Sequence, residues 1–432
     1  MENIKLACII AILAVSCYFV PKSFEHKLLP IVEGDFQPEF RDVAMAFRAN
    51  MEAGREKGAA FVVYHKGEPV FDMWAGYADR QSLRRWRNNT TTMMFGAGRA
   101  VTTFLVAQMV DRGLLNYSKP VTDYWPEFGS HGKQNITLEM LLSHQTGTHY
   151  FEEPISLRDL NTQQARIDKV ICDLKPLWKT GSHIVSHDLV SGLILDRLIE
   201  RVDPKHRDIY TMVQEEITKP LDVKLSMHLS RVDVYKTARI HSPSVTNFLY
   251  QAVTSPKYLW LHINSWFRKG SYIGKMYSSV REMMLPSTVF NDPELREITL
   301  SSVSVTGTAR GMAKLFSILS NQGQYKGDQV LKQETLTQLL TRTVTGVCPE
   351  TGFHVSYTRG LQSFTNPYGE TVYGQSGYGG QVVIADPSNQ LSMAYASSYL
   401  SIYEFGEDPR FTDLQSKLYT NLQRYIERQL KG

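Results

Sequence analysis

Cysteine is scarce in this chain: there are four in 432 residues, and two of them, Cys8 and Cys17, fall in the first twenty. So few cannot staple a fold of this size, which must rest on a hydrophobic core. Cys172 and Cys348 remain. They could pair in an oxidising compartment; two buried thiols are an equal reading. Charge of one sign is lacking too. The 47 Lys and Arg against 43 Asp and Glu leave a net +4, too little to mark a nucleic-acid binder. Internal repeats and low-complexity tracts are absent. Metal-ligand patterns are thin: His183 and His187 lie four apart, but no Glu follows His183 as a zinc-peptidase helix requires. Neither a metal nor another cofactor is expected.

What is present begins with an apolar run from Leu6 to Val20, preceded by Lys5 and ended by Pro21-Lys22. Residues 1–20 read as a signal peptide with a small-residue cleavage site at Ala14-Val15-Ser16, or as a short membrane anchor. A secreted or lumenal destination follows, with single-pass anchoring as the alternative. Sequons at Asn88, Asn89, Asn116 and Asn135 fit a glycoprotein on that route. Any membrane contact is expected through this segment alone. The remainder, residues 35–432, is long enough for one large domain or two.

The stretch Met93–Gly113 organises that remainder. Met93-Met94-Phe95-Gly96-Ala97-Gly98-Arg99 runs into Ala100-Val101-Thr102-Thr103-Phe104-Leu105-Val106 and on to Gly113. The second part predicts a buried helix, apolar on nearly every side. Its N-terminus offers N–H groups and partial positive charge to an anion. Upstream, residues 40–58 predict a helix with Val43, Met45, Ala46, Phe47 and Met51 inward, and 60–64 with 70–74 a hairpin about Lys66-Gly67-Glu68. Helical patterns dominate 99–299, including Asp188–Val202 and the aromatic stretch Tyr258–Phe267. A helix opens at Gly307-Thr308-Ala309-Arg310, a hairpin follows over 381–396, and an amphipathic helix closes the chain. Strands at both chain ends with helices between them predict an α+β fold. Its antiparallel sheet is built from about 35–98 and 300–432, flanked by helices, with a mainly helical part at about 99–299 inserted.

Several separated segments carry a resemblance: Asp111-Arg112-Gly113-Leu114-Leu115, Pro120-Val121-Thr122-Asp123-Tyr124-Trp125-Pro126-Glu127-Phe128, Leu141-Leu142-Ser143-His144 and Gly307-Thr308-Ala309-Arg310-Gly311. Together they resemble the serine β-lactamase and penicillin-binding-protein-like family, in its class C and esterase branch. The resemblance implies the β-lactamase/transpeptidase-like fold, with a cleft between sheet and helical part. It also implies a serine hydrolase working through three motifs, and here each motif is altered. Ser-x-x-Lys becomes Gly96 and Arg99. A glycine cannot form an acyl-enzyme, and a guanidinium stays protonated at neutral pH. The Tyr of the second motif becomes Ser186, followed by His187. The Lys or His of the third becomes Gln375, ahead of Gly377 and Tyr378; Gln hydrogen-bonds but does not shuttle protons. Gly98 leaves space around Arg99. Ser186-His187-Asp188 has the composition of a triad, but neighbours on a helix diverge by about 100°.

The sequence therefore predicts a catalytically inactive member of this family. Gly96, Arg99, His187, Gln375, Gly377 and Tyr378 are its ligand-binding candidates, with an anionic or an acyl/peptide small molecule as the partner. Two alternatives stand beside it. One is a serine-type esterase or peptidase using residues outside the family motifs. The other is a structural or assembly protein, its oligomeric state unspecified, whose cleft is vestigial.

Overall fold

The computed structural model describes residues 28–267 and 271–431; the apolar run Leu6–Val20 lies outside them. Nine strands and a short tenth make the main sheet: β1 (Val32–Phe36), β2 (Gly58–His65), β3 (Glu68–Asp79), β4 (Val344–Val347), β5 (His354–Tyr357), β6 (Gln362–Thr365), β7 (Thr371–Gly377), β8 (Gln381–Asp386) and β9 (Leu391–Ser397). Their order is β1-β3-β2-β9-β8-β7-β6-β5-β4, with Arg84–Arg85 added beside β3. Every pairing is antiparallel. The centre of the sheet joins the two chain ends, Val63 opposite Met393 and Phe61 opposite Tyr395.

The helices used below are α1 (Arg41–Glu52), α2 (Arg99–Asp111), α3 (Asp188–Val202), α4 (Val245–Thr254), α5 (Pro256–Phe267), α6 (Tyr272–Ser278), α7 (Ala309–Ser320) and α8 (Pro409–Lys431). The pleat of β2 explains how the sheet is sandwiched. Successive side chains point to opposite faces, so Ala59, Phe61 and Val63 join α1 and α8 in one core. Ala60, Val62 and Tyr64 join α2, α7 and the helical part in the other. All eight residues of β2 are buried, as a central strand covered on both faces must be. The β2–β3 turn has positive φ at both Lys66 (52°) and Gly67 (83°), the mirror-image turn that matches strand twist.

Two local expectations are corrected, and the open choice for the two remaining cysteines falls to free thiols. The first helix stops at Glu52, not Gly58, because Gly54 adopts φ 69° and the chain turns back. Met45 points to solvent, 61% exposed, since the inward stripe follows Val43, Ala46, Phe47 and Asn50. Cys172 and Cys348 are unpaired thiols, Cys348 packed with Ile184, Val355 and Tyr357.

Candidate functional site

Gly96 does not lie on α2 itself. Residues 95–98 form a tight 3₁₀ turn, and α2 begins at Arg99. This turn packs backbone to backbone against the end of β7. A Cβ added to Gly377 would lie 2.5 Å from the Met94 carbonyl oxygen and 2.7 Å from the Ala97 nitrogen, so only glycine fits there. A Cβ on Gly96 would lie 3.1 Å from the Ser376 carbonyl oxygen, a contact the strand must yield slightly to admit. Phe95, just before, is held at φ 47°, uncommon for a bulky residue, and its ring meets Tyr378 edge-on at 5.8 Å. Gly98 is not the source of free space that the sequence suggests. Val305 fills the position, and a Cβ there would come within 2.4 Å of it.

Arg99 starts α2 and is 1% exposed. Its Nη1 donates to Asp188 Oδ1 at 2.5 Å, and its Nη2 to the Leu142 carbonyl at 2.9 Å. Nη1 also meets His144 Nε2. The Asp188 side chain is 35% exposed and accepts from Ser186 Oγ at 3.0 Å. Burial pushes the Asp188 carboxyl up, but His144, the Arg99 guanidinium and the Ser186 hydroxyl outweigh it and hold it well below the usual carboxylate range. The result is a lopsided ion pair, its cation inside and part of its anion in solvent.

Behind Arg99 stand three imidazoles. His144 and His187 have ring centres 5.0 Å apart, and His187 and His149 5.1 Å. His144 Nδ1 accepts from the His187 backbone N–H at 3.3 Å, and its Nε2, besides meeting Arg99, lies 3.3 Å from Asp188 Oδ1. His187 Nδ1–H faces the Val185 carbonyl and His144 Nδ1, both at 3.2 Å; His187 Nε2 accepts from Thr146 Oγ1 at 3.0 Å, and Thr146 Oγ1 meets Thr148 Oγ1 at 2.8 Å. His149 Nε2–H donates to the Val185 carbonyl at 2.8 Å. Burial lowers all three, with Arg99 pushing His144 down and the neighbouring imidazoles pushing His187 down; His149 falls to about 4. All three are neutral at neutral pH.

The second-motif residues precede α3, with His187 as its N-cap at φ −136° and ψ 44°. Helical divergence therefore does not apply to them. Ser186 and Asp188 converge, whereas His187 turns inward to Thr146 and His144. The imidazole is fully buried and out of the Ser186–Asp188 contact. His183 is exposed and meets Ser182 Oγ at 2.8 Å. On β7, Gln375 is 2% exposed, and Ser376 Oγ donates to Gln362 Oε1 at 2.8 Å. Tyr378, on the exposed turn beyond β7, accepts from Ser287 at 3.4 Å.

Two side chains that sequence reasoning missed belong here. Tyr277, on α6, is raised well above the ordinary phenol by burial and then by the charges of Glu404, Tyr378 and Asp188. Tyr357, on β5, packs on His144 at 4.8 Å and is raised by burial and by Asp188. Neither belongs to a motif, and no local pattern marks them.

Residues 43–415 match the beta-lactamase family model. The chain belongs to the beta-lactamase family. Among curated relatives, the esterase/beta-lactamase LipL of Mycobacterium tuberculosis is 27% identical over 378 residues, covering 85% of this chain and 83% of LipL. Among solved structures, a family VIII carboxylesterase superposes with a TM-score of 0.79 at 25% identity, covering 90% of this chain and all of that one. A penicillin-binding-protein homologue from Caulobacter crescentus gives 0.76 at 25%, with the same coverage. The beta-lactamase/transpeptidase-like α+β fold is thereby established, and the branch is the one that contains esterases.

Proposed function

We propose that this beta-lactamase family member binds a ligand in the family cleft without hydrolysing it. One observation carries the reading. The position of the nucleophile has no side chain, and the position of its base holds a guanidinium already neutralised by Asp188 at 2.5 Å. Loss of a nucleophile in other serine hydrolases costs on the order of 10⁶ in rate.

The same pair redirects the ligand class. Arg99 would attract an anion only if its charge reached the cleft, and it does not. The charge in reach of solvent is the Asp188 carboxylate, beside His144 and the Tyr357 ring packed on it. An acyl or peptide ligand carrying an amine fits this environment better than a carboxylate does. Thermal-shift titration tests it: amino-acyl amides and short peptides with a free amine raise the melting temperature, N-acetylated counterparts do not, and Asp188→Asn removes the effect. Stabilisation by carboxylates that survives Asp188→Asn sinks the idea.

The Ser186–Asp188 contact favours a second reading, a hydrolase with a non-family nucleophile, in keeping with the esterase relatives. A carboxylate held so far below its usual range is a poor base for a serine hydroxyl. Labelling by a fluorophosphonate probe, with turnover of nitrophenyl esters abolished by Ser186→Ala, would establish it over the first.

A further inference from the structure

We propose that the outer sides of α4 and α5 form a docking surface for a membrane bearing anionic headgroups. On α4, Val245, Leu249, Tyr250 and Val253 are all more than half exposed. They stand at i, i+4, i+5 and i+8, one face of a helix. Its other face, Gln251 and Ala252, is buried. On α5, Trp260 (59%) and Ile263 are exposed at i and i+3, while Tyr258 and Leu261 turn into the protein against Ile402 and Tyr403. Six large apolar side chains on two consecutive helices exceed the scatter of single exposed residues that a monomer normally shows.

Charge decides what covers them. Ser244 caps α4, accepting from the Asn247 N–H. It lies three residues, about 10 Å at most, beyond His241. The Ser244 N–H donates to the Tyr399 hydroxyl at 2.8 Å, and the Lys57 ammonium lies 4.6 Å over that ring; Arg239, two residues before His241, donates its N–H to the Ala78 carbonyl at 2.7 Å, which brings it against Asp79-Arg80. These cations form the rim; Arg231 and Lys236, earlier in the chain, are each already paired with an acid, Glu297 and Asp233. An apolar helical face carrying Trp and Tyr and bordered by Arg and Lys is the make-up of an element lying in a headgroup region. A two-fold contact between copies would instead set this rim against itself. No helix among the described residues is long and apolar enough to cross a membrane, so the contact is peripheral.

The test uses residues 32–432, which hold every strand and both large cores, so the N-terminal run plays no part. Co-sedimentation is measured with phosphatidylcholine vesicles with and without phosphatidylserine. Binding is expected only with phosphatidylserine and weakens as salt rises. Leu249→Asp with Val253→Asp lowers it tenfold or more, and Arg239→Gln about fivefold. These positions are exposed, so melting temperatures stay at the wild-type value. Trp260 fluorescence shifts to the blue on binding, a change lost in Trp260→Phe. The proposal is overturned if the wild-type body stays in the supernatant, binds neutral vesicles equally, or binds as well with both aspartates in place. A dimer in sedimentation velocity that the same aspartates dissociate would overturn it too, giving the face to a second copy.

Discussion

Arg99 and Asp188 touch at 2.5 Å, the cation sealed at 1% exposure and the carboxylate about a third in solvent. Removing the carboxylate strands a buried guanidinium, which costs more than the pair contributes. Asp188→Asn is expected to lose about 3 kcal/mol in urea unfolding, the low end for buried pairs because Asp188 is partly solvated. Adding Arg99→Met should recover part of that loss, since the two sites are not independent.

The imidazole stack predicts an acid-labile fold. His149 is depressed to about 4 from an unfolded 6.5, so between those values the unfolded chain binds the extra proton. Its contribution is complete above pH 6.5 and is lost as pH falls through the window toward 4, about 3 kcal/mol for this one group. His144 and His187 act in the same direction. Thermal melts from pH 7 to 4 should fall steeply, and His149→Gln should flatten the lower part of that curve.

Gly98 is fixed by packing. Gly98→Ala puts a methyl group within 2.4 Å of Val305 Cβ and should cost about 1–3 kcal/mol. Val305→Gly in the same chain removes the clashing Cβ and should restore part of it, so the double mutant falls short of the sum of the singles. Simple additivity in denaturant melts would show that something else excludes the methyl.

Rebuilding the family nucleophile tests the silence of the site. Gly96→Ser with Arg99→Lys is expected to remain nearly unreactive to a fluorophosphonate, because Asp188 beside the new lysine keeps it protonated. Adding Asp188→Asn lowers that lysine by about one to three pKa units, which raises the unprotonated fraction roughly tenfold per unit. Labelling should rise by at least that tenfold, read by gel fluorescence. Equal labelling of double and triple mutants would count against the carboxylate as the obstacle.

The layered fold was legible because it is written in local patterns: the buried stretch of α2, the hairpin about Lys66-Gly67, the closing helix α8. What escaped depends on residues far apart in the chain. Arg99 read as an available cation because its partner lies 89 positions away, and Gly98 read as space because Val305 comes from another segment. His187 read as a ligand contact because nothing nearby reveals that Thr146 and His144 claim its ring. Tyr277 and Tyr357 enter the site through tertiary packing alone. The convergence of Ser186 and Asp188 was missed by treating residues before α3 as though they were in it.

The pairing of β2 with β9 has a consequence for how the protein is made. The strand that completes the middle of the sheet is made more than 300 residues after β2, so the β2–β3 hairpin waits through that stretch with one flank unpaired. Such a flank of Val, Phe and Ala invites pairing with other chains. Chains truncated before Leu391 are therefore expected to be prone to aggregation, because the centre of the sheet is completed only once β9 is present.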